Sequence, residues 1–133
     1  EIMKKIGLND ADRVLDSYPF ELSGGMNQRV GICTAMIMRP KLLLADEPTS
    51  ALDVTVQKQV VEELLFMREE YNTAMILVTH NIGVVRMMED RVLVLQNGHV
   101  REYGDTENVL ENPHDSYTKK LMESVLRLKK SGM

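Results

Sequence analysis

Several kinds of segment are scarce or missing in this sequence, and each absence narrows the class of protein to expect. Cys33 is the one cysteine, so no disulfide can form within the chain, and we expect a reducing compartment. No apolar run approaches the roughly 18 residues that a membrane-spanning helix needs, and no signal peptide is visible. The formal net charge of −4 argues against a broad nucleic-acid-binding surface, so no nucleic-acid partner is expected.

The remaining composition is that of an ordinary globular domain. The chain has 133 residues, of which 44% are apolar and 27% are charged, so we expect a single domain with one core rather than disorder. The chain begins at Glu1 instead of methionine and enters a helical pattern at once. We therefore expect it to be a segment of a longer protein.

The spacing of apolar and turn-forming residues predicts an α/β fold. Two apolar runs, 42–45 and 74–79, predict buried strands, and Asn97-Gly98 predicts a hairpin because both turn positions need positive φ. Helical patterns lie before, between and after these strands. The predicted helices are two short ones within residues 1–17, one after Gly25 that Pro40 ends, one capped by Asp53, and three more at 82–89, 106–110 and 116–130.

Two of these helices have a buried face that follows from their periodicity. Apolar residues recur at steps of three and four, which places them on one side of a helix. The predicted buried residues are Met26, Val30, Cys33 and Ile37 in the first of these helices, and Val56, Val60, Leu64 and Met67 in the second.

The first apolar strand ends in two acids and a proline, Asp46-Glu47-Pro48. Pro48 prevents simple continuation of the strand and favours extended geometry at Glu47. Successive strand residues face opposite sides, so Asp46 and Glu47 are expected in different environments at the sheet edge where α/β proteins bind ligands. Asp46 could hold Mg²⁺ through water while Glu47 orients or deprotonates an attacking water. The alternative is a pair of solvated carboxylates.

Ser23-Gly24-Gly25 lies immediately before the helical pattern that follows it. Two glycines let the backbone approach a ligand, and a helix N-terminus offers unpaired N–H groups with a positive dipole end. A neighbouring serine hydroxyl completes an anion site that suits phosphate. The alternative is a loop with a serine N-cap, which for an isolated motif of this kind is the commoner case.

His80 and Asp53 complete the set of candidate site residues. His80 ends the second apolar strand and would emerge beside Asp46 and Glu47 if the two strands are parallel neighbours, where its imidazole could contact a terminal phosphate or its attacking water. The alternative for His80 is a capping or packing role. Asp53 is most economically explained as the N-cap of the long helix.

These motifs, in this order and at these spacings, resemble those of the ATP-binding cassette (ABC) ATPases. Leu22 to Met26 with Gln28-Arg29 is similar to the signature motif, 42–47 to the Walker B strand, Ser50 to Asp53 to the D-loop, and His80 to the switch histidine. The resemblance covers nearly the whole chain. The amino-acid sequence at residues 18–26, 51–57 and 112–118 is similar to that of the ATPase subunits of dipeptide, oligopeptide and nickel importers.

The resemblance implies a role for each candidate residue. Met26 stands where many relatives have glutamine, a difference that the peptide-importer branch tolerates. Ser23, Gly24 and Gly25 would contact the γ-phosphate of an ATP held by the opposite subunit, and His80 would also contact the γ-phosphate. Asp46 would help to bind Mg²⁺, and Glu47 would be the general base. Asp53 would make a contact across the dimer interface.

The resemblance also implies a partial P-loop NTPase fold, divided in three. Residues 1–40 would form part of the helical subdomain, 41–104 the C-terminal half of the ATPase core, and 105–133 a C-terminal helical extension. The implied cofactors are ATP and Mg²⁺. The implied partners are a second ATPase subunit, identical or paralogous, and transmembrane permease subunits, with the protein peripheral to the cytoplasmic side of the membrane.

The family's phosphate-binding loop, G-x-x-x-x-G-K-[ST], does not occur in these residues, nor do the adenine-stacking aromatic residue and the glutamine loop. That loop supplies most of the groups that hold the β- and γ-phosphates, so we expect this chain alone neither to bind ATP usefully nor to hydrolyse it. A partial core sheet would expose edges and apolar faces, so self-association or marginal stability is expected. Two other hypotheses stay open: a non-catalytic interaction module, and, more weakly, a DNA-repair ATPase.

Overall fold

The computed structural model describes residues 2–88 and 90–130, and side chains as far as residue 124. A short 3-10 helix spans Pro19–Glu21. The order of the other elements confirms the predicted α/β class: α1 (Ile2–Lys5), α2 (Ala11–Leu15), α3 (Gly24–Met36), β1 (Leu42–Asp46), α4 (Val54–Tyr71), β2 (Ala74–Val78), α5 (Ile82–Met88), β3 (Arg91–Gln96), β4 (His99–Asp105), α6 (Thr106–Glu111) and α7 (Ser116–Lys130).

The chain forms two compact units, Glu1–His80 and Asn81–Met133. The division into residues 1–40, 41–104 and 105–133 stays a prediction. The predicted helix 82–89 ends at Glu89, which lies outside the residues that the structure describes.

The first unit contains the predicted strand pair. β1 and β2 run parallel, with a register that aligns Leu42 with Ala74 and Asp46 with Val78. One face of the pair packs on the core through Leu43, Met75 and Leu77. The other face is exposed, so the expectation of a buried strand is wrong for that side, because the core that the described helices form lies against one face.

Exposure of this second face involves large aliphatic side chains. Parallel sheets are normally covered on both faces, which makes such exposure unusual. The side chains concerned are Leu42, Leu44, Ile76 and Val78, which are 49%, 69%, 53% and 55% exposed.

The core of the first unit lies among α1, α2, α3 and α4. Its fully covered residues include Cys33 and Met36 from α3. The predicted face of α4 is confirmed, since Val60, Leu64 and Met67 are buried and Val56 packs against the same cluster. The prediction for Ile37 is wrong: its side chain is exposed although its backbone is still helical, because the cluster of packed residues ends with Met36 at this end of α3.

The second unit is built on the predicted hairpin of β3 and β4. Asn97 and Gly98 have φ of 51° and 77°, so both turn positions adopt the predicted left-handed conformation. β3 and β4 pair antiparallel, with an irregularity between Val94 and Leu95. α6 packs on the hairpin, and the Thr106 hydroxyl at its start donates to the Asp90 carbonyl oxygen.

The start of α7 is tied to β4 by carboxylates. Glu102 accepts hydrogen bonds from the N–H groups of His114, at 2.8 Å, and Asp115, at 3.3 Å. Asp115 in turn accepts from the Tyr117 N–H at 2.8 Å and forms an ion pair with Arg101 at 3.3 Å. These contacts fix where the last helix begins.

Candidate functional site

Glu47 and His80 meet where the two parallel strands end. The Glu47 N–H donates to the Val78 carbonyl oxygen at 2.8 Å, which extends the strand pairing by one residue. The Glu47 carboxylate oxygen Oε1 accepts the His80 N–H at 3.1 Å and lies 2.7 Å from His80 Nδ1. The predicted meeting of these residues at one sheet edge is thus confirmed, while their chemical roles stay predictions.

The backbone at Glu47 differs from the expectation. Its φ is 45°, in the left-handed region, and the predicted extended geometry is wrong. The reason is a turn that begins at once: the Ser50 N–H donates to the Glu47 carbonyl oxygen at 3.0 Å while the Glu47 N–H remains paired with β2. A non-glycine residue in this region costs about 1–3 kcal/mol, and such residues cluster at functional sites.

Asp46 is exposed at the end of β1, whereas Glu47 is half-buried, as the alternation of strand side chains predicts. Among residues 2–88 and 90–124, nothing forms an ion pair or hydrogen bond with the Asp46 side chain, and no three His, Cys, Asp or Glu residues cluster as a metal site. A single open carboxylate fits Mg²⁺, because this ion commonly takes one or two carboxylates and completes its shell with waters and phosphate oxygens.

Ser23 caps α3, as its alternative interpretation predicted. Its Oγ accepts the Met26 N–H at 3.2 Å and retains its own proton for another acceptor. Within the part of the chain that the structure describes, the N–H groups of Gly24 and Gly25 have no acceptor. The capping role therefore leaves two backbone donors and a hydroxyl available at a helix N-terminus, the arrangement that suits an anion.

The glycines of this motif also serve packing, which sequence reasoning missed. A methyl group added at Gly25 would lie 2.8 Å from Val56 Cγ1, closer than real side chains approach. One added at Gly24 would lie 3.4 Å from Leu52 Cδ2, an ordinary contact. The N-terminus of α3 thus packs directly on the turn that begins α4.

Asp53 occupies that turn and caps α4. Its Oδ1 accepts the Val56 N–H at 3.0 Å, so the predicted N-cap is confirmed. Its contact with a second subunit stays a prediction. Behind it, Arg29 of α3 pairs with Glu63 of α4, a contact that sequence reasoning also missed, although Glu63 follows the buried Val60 by three residues and thus borders the buried face.

The candidate residues therefore form two groups. Glu47 and His80 touch at the strand ends, with Asp46 next to them in the chain, whereas the Ser23-Gly24-Gly25 turn packs on the turn around Asp53. Across residues 2–88, no hydrogen bond or ion pair joins one group to the other. None of the described helices is both long and apolar enough to cross a membrane.

The chain is similar to known proteins over most of its length. The family model described as "ABC transporter" matches residues 1–50. The oligopeptide transport ATP-binding protein AmiE of Streptococcus pneumoniae is 44% identical over 128 residues, which are 96% of this chain and 36% of that protein. The metal-staphylopine import system ATP-binding protein CntD of Staphylococcus aureus is 43% identical over 124 residues, 93% of this chain and 46% of that protein. The chain thus spans less than half the length of these relatives.

A solved structure is similar in fold as well as sequence. It is described as a dimeric, post-hydrolysis state of the ATP-binding cassette MJ0796 bound to ADP and Pi. It matches with a TM-score of 0.58 and 38% identity, over 66% of this chain and 38% of that one. ABC ATPases are P-loop NTPases, so the predicted partial fold of that class is confirmed. Likeness in sequence and likeness in fold therefore lead to the same relatives, the ATPases of ABC transporters.

Proposed function

We propose that these residues form part of an ATPase subunit that couples ATP hydrolysis to import of peptides or nickel through a membrane transporter. The observation that carries the proposal is the contact of Glu47 and His80 at the ends of two parallel strands, where α/β proteins bind ligands. The relatives named for oligopeptide transport and metal-staphylopine import support the substrate class.

In this proposal Glu47 is the general base. Its carboxylate is held by the His80 N–H and is half-buried, so one oxygen has a fixed position from which it can orient and deprotonate an attacking water. The His80 imidazole is 84% exposed and can contact the terminal phosphate, its ring nitrogens serving as donor or acceptor.

Asp46 is the proposed Mg²⁺ residue, through water or directly. Bound Mg²⁺ would supply neutralisation of charge on the phosphate oxygens. The exposed Asp46 carboxylate, one residue before Glu47, would place this charge beside the general base.

Ser23, Gly24 and Gly25 are proposed to bind the γ-phosphate of ATP held by a second ATPase subunit, with Asp53 at the same interface. Two unpaired N–H groups and a hydroxyl proton support this role. The dimeric state named for the MJ0796 structure supports a paired arrangement. The partners would be a second ATPase subunit and transmembrane permease subunits, with the protein peripheral to the cytoplasmic side of the membrane.

The 133 residues by themselves are proposed to be inactive, since they contain no G-x-x-x-x-G-K-[ST] loop to anchor the phosphates. Titration calorimetry of Mg-ATP into this chain is expected to show no heat of binding up to millimolar nucleotide. Clear binding would contradict the proposal, because the residues described here would then build a phosphate site unaided.

A chimera tests the catalytic role. The 128 matched residues of AmiE would be replaced by those of this chain, and phosphate release from ATP would be measured. The chimera is expected to hydrolyse ATP, and Glu47→Gln to lower kcat by about 10²–10⁴-fold, the usual loss for a general base. Glu62→Gln, which changes an exposed carboxylate of α4, is the control and should leave the rate unchanged. A folded chimera in which Glu47→Gln has no effect would refute the role of Glu47.

A further inference from the structure

A largely buried ion pair joins α3 to α4 behind the Ser23-Gly24-Gly25 turn. Arg29 Nε lies 2.7 Å from Glu63 Oε1, and Arg29 Nη2 donates to Gln59 Oε1 at 3.2 Å. The Arg29 and Glu63 side chains are 19% and 14% exposed. By contrast, the neighbouring Lys58–Glu62 pair on the same helix is exposed at both ends.

Burying this ion pair between two helices has a desolvation cost. Burial raises the pKa of the Glu63 carboxyl above its ordinary value even though the Arg29 guanidinium lowers it. Arg29 Nε and Glu63 Oε2 are both buried and, among residues 2–88 and 90–124, neither has a hydrogen-bond partner, so the 2.7 Å contact is an ion pair without hydrogen-bond geometry. Because apolar residues of similar volume often stabilise such a position equally well, the pair is better explained by the geometry it imposes than by stability.

The pair lies on the same line of contact as the glycine turn. Gly25 and Arg29 are four residues apart in α3 and therefore share one face of that helix. Val56, Gln59 and Glu63 follow at steps of three and four in α4, and they also share a face. Gly25 packs on Val56, and Arg29, one turn later, binds Gln59 and Glu63. A displacement of α3 along α4 would break both contacts together.

We propose that Glu63 is a positioning residue: by holding Arg29 it fixes the register of α3 on α4, and so the place of the Gly24 and Gly25 N–H groups relative to the Asp53 turn. The catalytic meaning of those N–H groups rests on the proposed function, whereas the register itself does not. Two polar contacts from one guanidinium, to Glu63 and to Gln59, suit this task, because its rigid planar fork sets where both partners must lie.

The test uses NMR on the 133-residue chain without nucleotide. The readout is the nuclear Overhauser effect between the Gly25 Hα protons and the Val56 methyl groups, which reports their close approach. Glu63→Gln is expected to weaken or abolish it, and Glu62→Gln, the matched change at the exposed position, to leave it intact. Because no ATP is present, failure of the ATPase chimera would not affect this result.

A second variant separates register from stability. Arg29→Met with Glu63→Met replaces the pair by apolar side chains and is expected to fold, yet still to lose the Gly25–Val56 effect. A folded double variant that retains the effect at full strength would overturn the proposal. So would failure of both variants to fold, because the pair would then be required for stability itself.

Discussion

Glu47 and His80 meet through one oxygen atom: Oε1 of Glu47 accepts the His80 N–H at 3.1 Å and lies 2.7 Å from His80 Nδ1. The two contacts differ in how easily they can break. The backbone contact is set by the end of β2, whereas the imidazole is 84% exposed and can leave without unpacking its neighbours. The carboxylate would therefore keep its position when the imidazole turns to another acceptor.

His80→Ala is expected to separate stability from activity. The exposed pair should contribute less than about 1 kcal/mol to the free energy of unfolding, because surface ion pairs rarely contribute more and the backbone hydrogen bond remains. In the AmiE chimera the same change should lower ATP hydrolysis by about 10²-fold or more, because the imidazole would no longer contact the terminal phosphate. Urea unfolding and phosphate release measure the two effects. A rate equal to that of the parent chimera would exclude the role of His80.

Gly25→Ala is expected to destabilise the chain through a clash with α4. The new methyl group would lie 2.8 Å from Val56 Cγ1, so one of the helices must shift. Crowding of a packed site costs about 1–3 kcal/mol, which urea unfolding resolves. Gly24→Ala is the control, because its methyl group would make an ordinary contact at 3.4 Å with Leu52 Cδ2.

A double-mutant cycle identifies the clash as the cause. Val56→Ala removes Cγ1, so the cost of Gly25→Ala should be much smaller in that background than in the parent chain. Equal costs in both backgrounds would show that Val56 is not what Gly25→Ala meets.

Much of the site could be predicted because it depends on short-range rules. An apolar run before Asp46 predicts β1, a second run before His80 predicts β2, and parallel strands end at the same edge. The meeting of Glu47 with His80 follows once the two strands are parallel neighbours, a condition that the structure supplies. Asp53 was equally accessible, since an acid before a helical period is a common N-cap.

Other features depend on what packs against a residue, which periodicity does not reveal. The left-handed φ of Glu47 reflects a turn and a strand contact acting on the same residue. Ile37 continues the period of α3 but lies beyond its end. Arg29 and Glu63 lie in different helices, 34 residues apart in the sequence, and local sequence patterns do not predict contacts at that distance.

The last prediction concerns pH and the start of α7. Desolvation raises the pKa of Glu102, but several lowering effects together outweigh it, the largest being the hydrogen bond from the His114 N–H, and the pKa lies below its ordinary value. The folded chain therefore binds this proton less readily than the unfolded chain. Glu102 then contributes stability above the ordinary glutamate pKa, and the contribution disappears as pH falls through the lower folded pKa.

Glu102→Gln should consequently reduce the decrease in unfolding free energy that occurs as the pH falls. We expect the parent chain to lose unfolding free energy below about pH 5, and the variant to be less stable near neutral pH but to lose less on acidification. Part of the loss should remain in the variant, because the pKa of Asp115 is also lowered by hydrogen bonds from the Tyr117 and Thr118 N–H groups, although desolvation opposes them.

Urea unfolding between pH 3 and pH 7 measures this loss of stability. Glu123→Gln, which changes an exposed carboxylate of α7, is the control. If unfolding free energy depended on pH in the same way in Glu102→Gln and in the parent chain, the hydrogen bonds from the His114 and Asp115 N–H groups would not depend on the charge of Glu102. The prediction would then be contradicted.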